Sequence, residues 1–447
     1  MEQNQNVIVP RRILTSLLSS LSAGVVPRAG APYIAIGRKD EIGAFLSDLE
    51  NIGDGGSSMR FLIGRYGSGK SFLMQLIRGY ALERDFLTAD ADLTPERRLY
   101  GTAGSGVATY RELMKNLASK ASPDGGALPK IIARWIGNLQ ANVGENDPTG
   151  ARLRDAVMND LRDVEFLVGG FDFARVISAY YRAYLDGNDE QMSACMCWLR
   201  GEFASKTEAR RMLGFPVSLI IDDENWYDFI KLFAVLARRI GYRGLVVFID
   251  ECVNLYKIVH RVSRENNYEK ILSMFNDALQ GKAEGLLMVL GGTPQFLEDP
   301  RRGLFGYEAL RSRLCDSRFG DSEFRNLIGP VIRLRRLSDD ELFALIVRVT
   351  ALYAQHYKWE PRITAEQQLR FLSLSLSRAG SDSLMTPREL LRDYLTVLNI
   401  LMQNPETDFE RIVSKVTAES RPMAAEQEES PQTVSEKPNF SPTDIIL

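Results

Sequence analysis

The chain has 447 residues, with 55 Lys and Arg against 58 Asp and Glu and a formal net charge of −3. That length accommodates two or three domains, and 45% hydrophobic with 25% charged residues is the balance of an ordinary water-soluble globular protein. Two histidines, four scattered cysteines and no overall basic excess argue against histidine catalysis, a His/Cys metal centre, a disulfide scaffold and a generally basic nucleic-acid binder.

The opening residues, MEQNQNVIVPRR, hold no hydrophobic signal core. No apolar run nears the length of a membrane span, and the longest, such as 245–249, have the length of buried strands. A cytoplasmic protein with no membrane partner is therefore expected. Cys195 and Cys197 flank Met196 with no second pair elsewhere, so the thiols read as reduced and buried.

Residues 11–50 carry apolar positions at helical spacing over 13–21 and again over 40–49, which predicts two amphipathic helices joined by a loop. A Gly-rich polar turn, 51–58, precedes the hydrophobic run Met59-Arg60-Phe61-Leu62-Ile63, the first core strand. Gly64-Arg65-Tyr66-Gly67-Ser68-Gly69-Lys70-Ser71 then fits the pattern GxxxxGK(S/T), and a helix is expected over 72–81. A strand before and a helix after make the pattern a phosphate loop rather than a flexible turn. The glycines let backbone N–H groups turn inward around a triphosphate. Lys70 adds a point charge at the β- and γ-phosphates, and the Ser71 hydroxyl can ligate Mg²⁺.

A second strand is expected over 85–92, then a turn or helix start at 93–96. The next strong strand, 244–249, lies about 180 residues beyond Lys70, whereas a compact βαβ unit needs far fewer. Helical periods over 109–121, 129–141, 151–162, 174–185 and 192–208 predict a helical insertion from about 125 to 225, and 223–240 reads as a core helix. Strands over 285–294 and 331–334 follow, then helices over 339–353, 366–375 and 387–403. Residues 419–447 combine prolines and acids with few hydrophobics, which predicts a disordered tail.

Asp250-Glu251 closes the strand at 244–249. A carboxylate at the carboxyl end of such a strand sits beside a phosphate loop, where Asp250 can hold Mg²⁺ through water and Glu251 can polarise a water for attack on the γ-phosphorus. Thr293 follows the next strand and is placed either to touch the γ-phosphate or simply to form the turn Gly291-Gly292-Thr293-Pro294. Arg311 and Arg313 suit charge stabilisation on a transferring phosphoryl group from a neighbouring subunit, and equally suit a solvated surface. Arg388 begins a C-terminal helix from which it could reach back to a nucleotide. Arg301-Arg302 and the run 333–336 are local basic patches that surface or interface arginines would also explain.

The order of these parts resembles AAA+ ATPases of the origin-recognition, replication-initiator branch, beginning with Ile36-Gly37-Arg38-Lys39-Asp40-Glu41 upstream of the phosphate loop. That resemblance implies that Gly37 and Arg38 border the adenine and that Gly64, Arg65, Tyr66, Gly67, Ser68, Gly69, Lys70, Ser71 and Phe72 bind the nucleotide. It also implies that Asp250 and Glu251 are the second Walker motif, Thr293 a first sensor, Arg388 a second sensor, and Arg311 or Arg313 a finger acting in trans within a homo-oligomer. More specifically, Pro10-Arg11-Arg12-Ile13, Gly24-Val25-Val26-Pro27, Asp92-Leu93-Thr94-Pro95, Gly241-Tyr242-Arg243-Gly244-Leu245 and Ala309-Leu310-Arg311-Ser312-Arg313-Leu314 resemble the bacterial ATP-binding family of BREX-type phage-exclusion operons. The long insertion and the lack of a winged-helix region after the lid depart from the initiator pattern.

The expected fold is a three-layer α/β/α P-loop NTPase with a mainly parallel sheet, a helical insertion and a C-terminal helical lid. Residues 1–58 would form an N-terminal helical segment, 59–124 with 225–334 the ATPase core, 125–224 the insertion, 335–418 the lid and 419–447 the tail. The expected cofactors are ATP and Mg²⁺, and the expected work is ATP hydrolysis with DNA, a helicase or other defence-system partners. A nucleotide-gated scaffold with slow turnover and no direct DNA contact is the alternative.

Overall fold

The computed structural model describes residues 8–102, 104–143, 167–315, 326–378 and 385–418, together with 152, 155, 156 and 159. Its centre is a five-stranded sheet of β1 (Ser58–Ile63), β2 (Leu87–Asp92), β3 (Leu245–Asp250), β4 (Leu286–Gly292) and β5 (Val331–Arg333). The strand order is β2-β3-β4-β1-β5, and every pairing is parallel. Strands buried on both faces read as continuous apolar runs rather than alternating ones, and β3 and β4 are buried at every position.

The first half of the chain adds α1 (Arg11–Ser22), α2 (Lys39–Gly53), α3 (Lys70–Glu83), α4 (Ser105–Lys115), α5 (Leu128–Val143), α6 (Gly170–Asp186), α7 (Asp189–Leu199), α8 (Lys206–Leu213) and α9 (Trp226–Arg239). The second half adds α10 (Val253–Tyr256), α11 (Arg261–Leu279), α12 (Pro294–Glu298), α13 (Glu308–Leu314), α14 (Asp339–Tyr357), α15 (Ala365–Arg378), α16 (Pro387–Gln403) and α17 (Phe409–Ala418).

Period-2 alternation along the strands sends side chains to two cores. Leu62, Val246, Phe248, Leu287, Val289 and Ile332 meet α2 and α3 through Phe45, Leu49, Leu73 and Ile77. Met59, Phe61, Ile63, Val247, Ile249 and Met288 face the other way, into a larger cluster. That cluster runs without a break into the helices between β2 and β3, with Trp135, Trp198 and Trp226 buried inside it. The result is the expected three-layer α/β fold with a parallel sheet.

A third cluster lies away from the sheet. Leu14, Leu17, Leu18 and Leu21 of α1, at helical spacing, bury themselves against Leu345, Val349, Tyr394 and Leu398 of α14 and α16. The N-terminal helix therefore packs with the C-terminal helices, while α2 packs on the sheet.

Some elements differ from the pattern. The periodicity over 192–208 predicts one helix, but α7 stops and α8 restarts around Gly201, whose φ of 69° fits a break. A Cβ there would sit 3.2 Å from the Tyr110 ring, so glycine also allows the close approach. The helix expected over 109–121 is α4, which begins and ends earlier; Ala118 instead bridges Thr88 beside β2. α11 has no clear apolar stripe in its sequence and was not anticipated. The helix expected over 151–162 lies mostly, and the tail 419–447 wholly, outside the described residues.

One buried ion pair ties α2 to β1. Arg60 Nε and Nη2 each donate to the Asp48 carboxylate at 2.7 Å, and Nη1 donates to the Ile328 carbonyl at 2.8 Å. Both side chains are buried. Removing one partner leaves an uncompensated charge indoors, so Asp48→Ala is expected to cost about 3–5 kcal/mol, read from urea unfolding curves.

Candidate nucleotide-binding site

The phosphate loop spans Gly64 to Gly69, between the end of β1 and the first residue of α3, Lys70. Gly67 and Gly69 hold φ values of 73° and 92°, a region that side chains disfavour. A Cβ on Gly64 would lie 2.4 Å from Ser68 Oγ, and one on Gly67 2.1 Å from Thr386 Cγ2. The loop is thus packed from within and from the C-terminal helices at once. Lys70 Nζ donates to the carbonyls of Gly64 (2.9 Å) and Arg65 (3.2 Å) and lies 5.6 Å from the Tyr66 ring. Tyr66 is exposed. Ser68 Oγ is buried with no hydrogen-bond partner among the described residues, a polar atom aimed at a loop whose chemistry is phosphate binding.

Arg38 is buried, and its guanidinium works as a brace. Nη2 donates to the Ser68 carbonyl at 2.8 Å, Nη1 donates to the Arg335 carbonyl at 2.9 Å, and Nη1 lies 3.6 Å from Glu41. Gly37 adopts φ 71° and approaches Glu341 so closely that a Cβ would sit 2.6 Å from its carboxyl carbon. Phe72 is half-buried between the α3 core and the C-terminal cluster.

The acidic edge comes from β3. Ser71 Oγ donates to Asp250 Oδ2 at 2.6 Å, joining the two halves of the motif across 179 positions of chain. This contact must pass over β4, which lies between β1 and β3. Gly291 makes the passage: a Cβ there would stand 2.3 Å from Asp250 Oδ1 and 2.8 Å from Met74 Cε. Asp250 Oδ1 accepts from the Glu251 N–H at 2.8 Å, and Glu251 holds φ 56°, rare for a non-glycine residue. Such backbone costs about 1–3 kcal/mol and concentrates at functional sites.

Asp92, at the end of β2, stands in register with Asp250. Desolvation, then the charges of Asp250 and Glu251, push its carboxyl above the ordinary carboxylate range. Desolvation lowers the Lys70 ammonium from its usual value, opposed by the attraction of Asp250 and Glu251. A bound polyphosphate would reinforce that opposition and favour the charged lysine.

A cavity runs from this edge to the C-terminal helices. Its polar end is formed by Lys70, Ser71, Glu251 and Arg388. Its apolar end is formed by Val25, Val26, Pro27, Ile36, Leu345 and Leu391, the surroundings that a planar base needs. Arg388 occupies the first turn of α16, where Thr386 and Glu389 form a capping box and Pro387 the first helical residue. Its aliphatic stem lies near Gly24.

The remaining candidates lie elsewhere. Thr293 is buried at the end of β4, and its Oγ1 accepts from the Phe296 N–H at 3.3 Å as the cap of α12. Arg311 and Arg313 sit on α13, outside the cavity lining. Arg311 lies 3.9 Å from Glu308, and Arg313 donates to Asn276 Oδ1 and the Ala309 carbonyl. The geometry therefore gathers Arg38, the loop 64–72, Asp250, Glu251 and Arg388 in one copy, and leaves the two α13 arginines apart. Sequence reasoning named Ser68 within the phosphate loop but missed Gly291 and Asp92 as site features. A signal existed for Asp92, since both adjacent strands end in aspartate.

A parallel sheet with a phosphate loop after β1 and an aspartate hydrogen-bonded to its serine defines a P-loop NTPase-like α/β protein. The family described as BREX system ATP-binding protein BrxC/D matches residues 9–417, and the chain belongs to it. It is accordingly an ATP-binding protein of a phage-defence system. No curated protein matches the sequence significantly. No helix among the described residues is long and apolar enough to cross a membrane.

Gly291→Ala is expected to displace the Asp250 carboxylate and weaken ATP binding at least about tenfold, roughly 1.4 kcal/mol. Calorimetric titration with ATP reads the loss, and an unchanged far-ultraviolet dichroism spectrum shows that the sheet persists.

Proposed function

We propose that the chain hydrolyses ATP with Mg²⁺ and uses the cycle to act on DNA, or on a DNA-processing partner such as a helicase, during phage defence. The hydrogen bond from Ser71 Oγ to Asp250 Oδ2 at 2.6 Å supports the nucleotide part of this reading, because it sets a hydroxyl and a carboxylate of the kind that hold magnesium side by side. No cluster of three or more His, Cys, Asp or Glu side chains placed to hold a metal occurs among the described residues. Magnesium keeps several waters and takes few protein ligands, which Ser71 and Asp250 would supply. When bound, the ion neutralises charge between the phosphates.

The side chains divide the remaining work. Lys70 and the loop N–H groups hold the β- and γ-phosphates. The apolar end of the cavity takes the base. Glu251, lining the same cavity, accepts a proton from the attacking water. Arg388 reaches the phosphates from the lid, so occupancy is felt by α16. Thr293 keeps a hydroxyl proton to donate after capping α12. Gly37 and Arg38 act indirectly on the adenine side by holding the loop against the lid linker.

Arg311 and Arg313 favour a homo-oligomer, in which one copy offers an α13 arginine to its neighbour's phosphate. A lone copy would then turn over slowly, which is the ground for the alternative of a nucleotide-gated scaffold. The division into core, insertion (125–224) and lid (335–418) belongs to the same proposal.

Lys70→Ala is expected to weaken ATP binding about 100-fold or more, whereas Glu251→Gln keeps affinity and lowers hydrolysis about 10²–10⁴-fold. Phosphate release and calorimetry separate the two, and ATP turnover by purified Lys70→Ala would remove the site assignment. Arg311→Ala or Arg313→Ala is expected to lower turnover by a factor on the order of 10³ with ATP affinity intact. Equal loss of affinity would place the arginine in its own copy's site instead.

A further inference from the structure

Two arginine-rich stretches stand out in the sequence, and the structure treats them differently. In the run 333–336, Arg333 is paired with Glu298 and Arg335 with Glu341. Arg301-Arg302 is not neutralised in this way. Arg302 Nη2 donates to the carbonyls of Tyr256 (3.1 Å) and Ile258 (3.2 Å), and its guanidinium lies 5.3 Å from the Tyr256 ring. Arg264, buried, also donates to the Ile258 carbonyl, at 2.8 Å. Among the described residues neither guanidinium meets a carboxylate within ion-pair distance. Carbonyl oxygens accept from both guanidiniums without cancelling their charge, and Arg302 Nε is buried with no partner among the described residues.

Both arginines brace one short exposed stretch, residues 257–262, which runs from the end of α10 into the first turn of α11. Ile258 is buried and anchors it. Around that anchor Lys257, Val259, His260, Arg261 and Val262 all face solvent, Val259 at 87% and Val262 at 65% exposure. Arg301 is exposed beside it, its neighbour Arg302 fixed by a Tyr268 hydrogen bond at 2.6 Å. The carboxylates in contact with this region are Asp299, which caps the Arg301 and Arg302 N–H groups, and Glu265, which pairs with the far-exposed Arg261. Lys257, Arg261, Arg264, Arg301 and Arg302 thus place five cations on or beside this stretch against the two carboxylates of Asp299 and Glu265, in a chain whose net charge is −3.

The geometry points to the 257–262 stretch, with Arg301, as a surface that grips the phosphate backbone of DNA. Exposed cations meet the phosphates, the buried Arg264 and half-buried Arg302 guanidiniums raise the potential beneath them, and the valines offer apolar contact to sugar or base. A protein partner would sooner match a patch in which charges of both signs alternate or an apolar face predominates. The 257–262 stretch follows Glu251 by a single helical turn, α10, so its partner and the nucleotide share one run of backbone. This inference deepens the DNA-directed reading above and rests on it for the partner, while the binding itself needs no turnover.

Fluorescence anisotropy with a labelled duplex, and separately a labelled single strand, tests it between about 50 and 200 mM salt. The triple variant Lys257→Ala, Arg261→Ala, Arg301→Ala is expected to lose at least about tenfold in affinity and to flatten the slope of log K against log salt by roughly 2–3, about 0.9 for each phosphate contact. The comparison variant Lys206→Ala, Arg210→Ala, Arg211→Ala makes the same change of charge on exposed positions of α8 and is expected to bind as the wild type does. ATP affinity measured in parallel should stay at the wild-type value in both, which reports an intact fold. Equal DNA binding by the patch variant, equal weakening by the α8 variant, or no DNA binding by the wild type would each overturn the proposal. None of these results bears on ATP uptake, whose own failure would show in the parallel titration.

Discussion

Everything at the site depends on a carboxylate reaching a hydroxyl over an intervening strand. Asp250 ends β3 and Ser71 begins the second residue of α3, and β4 runs between them. An ordinary side chain at the crossing would fill the gap, and only glycine at position 291 leaves it open. The sheet order therefore constrains the sequence at a residue that carries no functional group of its own. Strand order, glycine, carboxylate and phosphate loop form one geometric unit, and loss of any one separates the others.

A second constraint joins that unit to the C-terminal helices. Gly67 leaves room for Thr386, Gly37 leaves room for Glu341, and buried Arg38 holds the Ser68 and Arg335 carbonyls together. Each is a contact between the phosphate loop or its brace and the C-terminal helices or the segment that leads into them. The cavity that would hold the nucleotide is bounded by both, so its walls belong to two hydrophobic cores rather than one. Ligand pockets commonly form where separately packed bodies meet, because each body can be rigid while the gap between them is not.

The legible part of this arrangement is the part written in local pattern. The phosphate loop, the apolar run ending in Asp250-Glu251 and the helix over 387–403 each declare themselves through spacing alone. Long-range placement is a different matter. Nothing local says that α1 will bury Leu14, Leu17 and Leu21 against Tyr394, since an amphipathic stripe specifies a need for burial and not its partner. The spacing predicts the strand over 285–294 that holds Gly291, but not that its missing side chain lets Asp250 reach Ser71. α11 escaped notice because tertiary packing of Tyr268, Ile271, Met274 and Phe275 holds it, within a sequence dominated by polar residues. Arg301-Arg302 shows as charge in the sequence, but only the carbonyl partners of Arg302 distinguish it from Arg333 and Arg335, which pair with carboxylates.

The shared core of α1 with α14 to α17 links the two extremities of the described chain. Val9 lies in the same cluster as Phe409 and Ile412. Beginning and end are thus mounted on a single block, and the sheet with its acidic edge is the separate body. A rotation of that block on nucleotide uptake would carry both extremities together through the same arc. Fluorophores placed on them would keep a constant separation from each other while their distance to the sheet changed, so a tether at either extremity would follow the block's movement.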